Sequence, residues 1–345
     1  IYDRQISLDW VVGYAGDADG TPEKFVRAVV PGAVQLDIAR AEGYPDYTYA
    51  GNYKMFGWME DMHYFYRTTF AKPTLKTGER LRFISKGIDY RFVIFLNGQE
   101  LHAQEGMFTW VDIDLTEHLA DENILTIHIS PVPKRNGCPD DRTQASNVVK
   151  PAVSYLWDWH PRLVPLGIWD ETYLEIRLAP HVGDLHVDYS LEPDFSAAEI
   201  TLTAETSDAE GCRWSWTRRD AQGKAVLTGS GSVGGSKLAE YRFTNPKLWW
   251  PHDHGTPYLY TSEFTLIGRG GSEIQTIVSK VGFRRVKLVM NEGAWNEPNG
   301  FPKTRSAAPA QFEVNGRRIF AKGTNWVNPE IFPGVITGER YKELL

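Results

Sequence analysis

The sequence predicts an all-β chain of more than one domain, and three observations carry that reading. Short runs rich in aromatic and β-branched residues recur along nearly the whole length, separated by Gly, Asn, Asp and Pro, the pattern of strands joined by turns. Helical spacing is confined to VQLDIARAEG at 34–43 and TGERYKELL at 337–345. The chain has 345 residues, more than the roughly 250–300 at which a single core stops growing.

In chain order, the first set of strands is HYFYRTTF (63–70), LRFISKGI (81–88), RFVIFLNGQELHA (91–103), ILTIHISP (124–131) and TYLEIRLA (172–179). Asn97-Gly98 falls between two apolar runs, where a type I′ turn needs positive φ at both central residues, so it marks a hairpin tip. These runs assign 1–179 to a first β domain. A second set, from DLHVDYSLEP to IQTIVSKVGFRRVKLVM, recurs at short intervals over 180–290. About seven short strands in that span are the pattern of an immunoglobulin-like sandwich, here without the Cys-Trp-Cys spacing of antibody domains. Cys138 and Cys212 fall in different domains, so a disulfide between them is not expected. Residues 291–310, rich in Pro, Asn, Gly and small residues, read as a linker.

The texture changes after the linker. QFEVNGRRIFAKGTNWV predicts a hairpin at Asn315-Gly316 and a strand ending near Gly323. Thr337 is placed to cap a helix, Glu339 favours its positive end, and Tyr341, Leu344 and Leu345 return at i, i+3 and i+4. A strand, a loop and a helix over 311–345 resemble the opening unit of a larger α/β domain that would continue past Leu345. Exposed apolar surface is expected there, at Phe320, Trp326, Ile331, Phe332 and the Leu pair.

Composition excludes several classes. With 42% apolar and 23% charged residues the chain can bury real cores. A net charge of -7 with scattered Lys and Arg does not supply the basic footprint of a nucleic-acid partner. No apolar run reaches the roughly 18 residues of a membrane helix, so no membrane partner is expected. The 12 Trp residues offer both core packing and flat faces that stack on sugar rings.

Five stretches, in order, resemble glycoside hydrolase family 2, and most closely its β-mannosidase branch. They are VPGAVQLDI (30–38), GIDYRFVIFLNGQELHAQEGMFTWVDIDLTEHL (87–119), WDWHPRLVPLGIWDETYLE (157–175), NPKLWWPHDHGTPYLY (245–260), and VGFRRV followed by FEVNGRRIFAKGTNW. The resemblance implies a jelly-roll, galactose-binding-like sandwich for 1–179, then the immunoglobulin-like sandwich, then the start of a (β/α)8 barrel. It implies a retaining exo-glycosidase acting on terminal β-linked sugars, β-mannosides first, with β-galactosidase or β-glucosaminidase as alternatives in the same family. No cofactor or metal is implied, and the partner is carbohydrate. A stand-alone carbohydrate-binding module is the reading from another class; half a strand–helix unit ending on Leu344-Leu345 argues against it. A polymeric substrate would fit a periplasmic or secreted location.

The stretch MNEGAWNEPNG (290–300) holds two Asn-Glu pairs, Asn291-Glu292 and Asn296-Glu297, the dipeptide of many glycosidase acid/bases. Barrel enzymes place catalytic groups at the carboxyl ends of barrel strands, and in this family the pair follows the fourth strand. Here both pairs precede the first. Glu292 and Glu297 are therefore linker carboxylates, no residue of the chain is assigned a catalytic role, and the catalytic glutamates would lie beyond Leu345. Substrate contact is expected instead from Leu156 to Arg162. The resemblance gives Trp157 and Asp158 a part in the pocket for the terminal sugar, with Trp159, His160 and Arg162 beside them. His160 stands where the family's WDWGP has glycine. Asn325 and Trp326, after the first barrel strand, are the remaining candidates for lining the pocket. His252-Asp253-His254 has the spacing of strand-borne metal ligands but reads as a turn, lacking a third ligand. Gly268-Arg269-Gly270-Gly271 lacks the Lys-Ser/Thr of a phosphate loop and reads as a hairpin turn.

Overall fold

A computed structural model describes residues 4–294 and 309–345. The chain is mostly β-sheet and divides into two compact units, Asp3–Arg177 with Trp326–Leu345, and Ile1–Tyr2 with Leu178–Asn325. The stretch 311–345, expected to form one strand–helix unit, is thus shared between the two.

The first unit is a sandwich. One sheet has six strands in the order Val26–Ala28, Trp10–Ala15, His63–Ala71, Glu122–Ile129, Arg91–Leu96, Gln99–Glu105. The other has four, in the order Arg4–Ile6, Thr172–Leu178, Glu79–Ser85, Val111–Asp114. Alternation explains how they face each other: Tyr64 and Tyr66 on one strand oppose Ile129 and Ile127 on its antiparallel neighbour, and all four point inward to meet Leu81, Phe83, Leu174 and Ile176 of the second sheet. Asn97 and Gly98 take φ of 53° and 81°, as their hairpin requires. The early helix spans Val34–Glu42 and ends on Gly43 in the left-handed region, whose successor Tyr44 donates its N–H to the Ala39 carbonyl. LRFISKGI is not one strand: Glu79–Ser85 ends before Gly87, and Ile88–Asp89 pairs separately with Gly167–Ile168.

The second unit holds a three-stranded sheet, His181–Leu191, Ala197–Ser207, Lys237–Thr244, and a four-stranded sheet in the order Ala225–Ser232, Arg213–Arg219, Tyr260–Ile267, Glu273–Val281. Ile200 and Leu202 from one meet Trp214, Trp216, Phe264 and Leu266 from the other in a single core. A further antiparallel sheet, Val286–Met290, Ala310–Val314, Arg317–Ile319, turns at Asn315-Gly316. Its last strand stops at Ile319 rather than near Gly323, and the described residues form no closed barrel. Cys138 and Cys212 are both free.

Arg218 continues the inward face of Trp214 and Trp216 and is fully buried. Its guanidinium lies 5.1 Å from the Trp216 ring centroid and 4.9 Å from that of Phe283, and none of its nitrogens has a hydrogen-bond partner among the described residues. Burial pushes its pKa down to about 10, so the fold disfavours the cation at every pH below that value and is relieved as pH rises toward the unfolded value. Cation–π attraction offsets part of the cost. Arg218→Met is expected to raise stability by roughly 1–3 kcal/mol near neutrality. The gain, read by denaturant unfolding, should shrink as pH rises above about 10. A destabilised methionine variant would mean that the aromatic faces satisfy the charge.

Candidate functional site

The loop that carries the expected sugar contacts is closed by backbone bonds. Trp157 N–H donates to the His160 carbonyl at 3.0 Å and His160 N–H to the Trp157 carbonyl at 3.2 Å, which puts Asp158 and Trp159 at the tip of a two-residue turn. Leu156 enters it at φ 118°, a region costly for any residue with a Cβ and kept only where surroundings over-determine it. Three ties do so. The Arg162 guanidinium donates to Glu60 at 2.7 Å, to the Gln144 side-chain carbonyl at 2.8 Å and to the Tyr155 carbonyl at 3.3 Å. Trp157 lies beneath the Arg142 guanidinium, 3.3 Å from its ring centroid. Lys150 donates to Asp89 and, at 2.7 Å, to the carbonyl of Pro165, so it clamps the outgoing limb to the short strand Ile88–Asp89.

Beside this loop is a hollow of about 480 Å³, within the roughly 300–1,000 Å³ range of small-molecule sites. Trp159, His160 and Trp326 line it together with Phe108 and Trp169. Trp159 is 55% exposed and Trp326 47%, which leaves indole faces available. Trp326 stacks on Tyr341 at 6.4 Å, and Trp169 meets Phe108 edge-on at 6.0 Å while its Nε1 donates to the Met107 carbonyl. Asp89 and Lys150 belong to the same wall but are almost wholly sealed. Burial pushes the Asp89 carboxyl up and the Lys150 ammonium down, and each is drawn back by the other's charge.

Of the residues expected from sequence, Trp159, His160 and Trp326 come together at one hollow. Trp157 and Arg162 are engaged in holding the loop, and Asp158 is exposed at its tip. Asn325 is exposed and is the last residue of the other unit. Sequence reasoning passed over Phe108, Trp169 and the Asp89–Lys150 pair. Phe108 and Trp169 sit in stretches already singled out, but nothing in their spacing separates a cavity wall from a core.

The weaker candidates resolve locally. In His252-Asp253-His254, the His254 N–H donates to the Pro251 carbonyl and the Asp253 carboxylate pairs with Lys322 at 2.9 Å, which is a turn. Gly268 and Gly271 close a hairpin, with Gly268 N–H on the Ser272 carbonyl and Gly271 N–H on that of Gly268. Glu292 is exposed in a turn after Val286–Met290, and Glu297 lies outside the described residues.

Two family models match the chain: "Glycosyl hydrolase 2 galactose-binding domain-like" over residues 10–170 and "Glycosyl hydrolases family 2" over residues 180–284. Among curated proteins, the chain is similar to β-mannosidase B of Aspergillus clavatus, 28% identical over 91% of this chain and 38% of that protein. It is similar also to β-mannosidase B of Emericella nidulans, 27% identical over 98% of this chain and 40% of that protein. The chain thus spans about two fifths of the length of these relatives. Among solved structures, a β-D-mannosidase from Dictyoglomus thermophilum superposes with a TM-score of 0.79 at 24% identity, covering 100% of this chain and 42% of that one. A Parabacteroides merdae β-glucuronidase superposes with a TM-score of 0.62 at 17% identity, over 93% and 38%. At these identities the superpositions establish likeness of fold.

Proposed function

We propose, from the premise that this chain belongs to glycosyl hydrolase family 2, that it is the non-catalytic front part of a retaining exo-glycosidase for terminal β-linked sugars, β-mannosides first. Its parts are a jelly-roll sugar-binding sandwich (1–179), an immunoglobulin-like sandwich (180–290), a linker (291–310) and the opening strand–helix unit of a (β/α)8 barrel (311–345). The observation that carries the reading is the convergence of Trp159, His160 and Trp326 on one aromatic hollow. Indole faces there stack on the C–H face of a sugar ring, and Asp158, at the loop tip, accepts its hydroxyls. Trp157 and Arg162 keep the tip in place. The mannoside preference draws on the names of the curated relatives, which are β-mannosidases. The two-carboxylate chemistry needs glutamates about 5–5.5 Å apart across the glycosidic bond, and in this reading they are supplied by a barrel outside this chain.

Titration calorimetry with mannose tests the site. Because the hollow forms one wall of a fuller pocket, affinity is expected to be roughly millimolar, about 4 kcal/mol of binding free energy. Trp159→Ala and Trp326→Ala should each weaken it severalfold, while Trp110→Ala, at an exposed aromatic outside the hollow, should not. Micromolar mannose affinity would favour the stand-alone binding module. No turnover of aryl β-mannoside, β-galactoside or β-glucosaminide is expected; turnover abolished by Glu297→Gln would overturn the non-catalytic reading.

A further inference from the structure

The Trp159–His160 step stands between two hollows. The second, about 260 Å³, shares Trp159, His160, Val327, Asn328 and Ile331 with the first and is closed by Tyr47, Thr48 and Glu330. Its side-chain polar groups are mainly acceptors. The Pro161 carbonyl, which can only accept, lies 2.7 Å from His160 Nδ1, so Nδ1 is the donor, and in the tautomer this fixes Nε2 is the acceptor. Asn328 Nδ2 gives one of its two N–H groups to the Glu330 carbonyl at 2.6 Å, and its Oδ1 stands as an acceptor. Glu330 Oε1 accepts from the Tyr47 hydroxyl and from the N–H groups of Ile331 and Phe332, whereas Oε2 has no partner among the described residues. Thr48 spends its hydroxyl proton on Asp46. The first hollow offers aromatic faces; the second offers acceptors and a carboxylate.

We propose that the two hollows are consecutive subsites for one neutral oligosaccharide: the first ring stacks in the aromatic hollow, and the second ring donates hydroxyls to His160 Nε2, Asn328 Oδ1 and Glu330 Oε2. This rests on the sugar-site reading of the first hollow. An acceptor-rich lining rewards a ligand rich in O–H donors and disfavours one carrying a carboxylate, because an anion placed beside Glu330 meets like charge. The second subsite therefore rejects a uronic acid.

The test is titration calorimetry on this chain with mannose, β-1,4-mannobiose, and a disaccharide of mannose and glucuronic acid. The expected ratio of mannobiose to mannose affinity is about tenfold, with the uronic disaccharide no better than mannose. His160→Phe, which keeps a ring but removes the acceptor, and Thr48→Trp, which fills the second hollow, should each bring the ratio to about one. Mannose binding with a ratio near one in the unaltered chain overturns the two-subsite inference and leaves the first site standing. A uronic disaccharide bound as tightly as mannobiose overturns the acceptor logic. Absence of binding by every sugar overturns both readings.

Discussion

Replacing Lys150 by methionine is expected to cost the first sandwich roughly 3–5 kcal/mol, because it strands a buried carboxylate without its counter-charge. Asp89 and Lys150 side chains are 3% and 1% exposed, and Asp89 Oδ1 already lacks a partner, so no solvent stands ready to take over. The double variant Lys150→Met with Asp89→Asn removes both charges and should recover most of the loss. Urea unfolding of the wild type, the two single variants and the double gives the coupling directly. A Lys150→Met loss below about 1 kcal/mol would place the pair in contact with water, in the range of exposed ion pairs. The proposed sugar site has a stake in this pair, since Lys150 also holds Pro165 and with it the outgoing limb of the Trp157–His160 turn.

That clamp shows where the sequence could be read and where it could not. The strand His63–Ala71 is legible because it is rich in aromatic residues, and the sheet buries Tyr64, Tyr66 and Thr68 on one face. The turns at Asn97-Gly98 and Asn315-Gly316 are legible because few residues tolerate positive φ. Local patterns carry that much. Asp89 and Lys150 are separated by 61 residues, and Glu60 and Arg162 by 102, and each looks like an ordinary surface charge until the fold brings it to its partner. The short strands Arg4–Ile6, Trp10–Ala15 and Val26–Ala28 escaped notice because three to six residues hold too few alternations to register. Tryptophan is the sharpest case. Trp10, Trp214 and Trp216 fill cores while Trp110, Trp159 and Trp326 face solvent, and composition counts them alike. The loop 156–162 was found through motif resemblance, and only the structure separates its supporting residues, Trp157 and Arg162, from those at the hollow.

Phe332→Ala is expected to detach the segment that brings Trp326 to the site while leaving the sandwich folded. Phe332 was expected on exposed apolar surface; it is instead fully buried in the first core and meets Tyr47 edge-on at 5.2 Å. Around it the contact is tight: a Cβ on Gly334 would come within 2.8 Å of Gly32 N and the Trp169 carbonyl, so backbone lies directly on backbone. Beyond it there is little hold. The helix Gly338–Leu344 is capped by the Thr337 hydroxyl but buries none of its residues. A buried Phe→Ala change costs about 3–5 kcal/mol where the structure cannot relax. Here the cheaper response is local opening, because Phe332 is the one buried side chain of the segment Trp326–Leu345. Hydrogen exchange should show the amides of Ile331, residue 332, Gly334 and Val335 falling to the low protection of Arg340 to Leu345, with the strands His63–Ala71 and Glu122–Ile129 unchanged. Mannose binding should fall with them, since Trp326, Asn328 and Ile331 leave the hollow together. A uniform loss of protection across both sheets would make Phe332 an integral part of the sandwich core, and intact mannose binding in the opened variant would remove Trp326 from the sugar site.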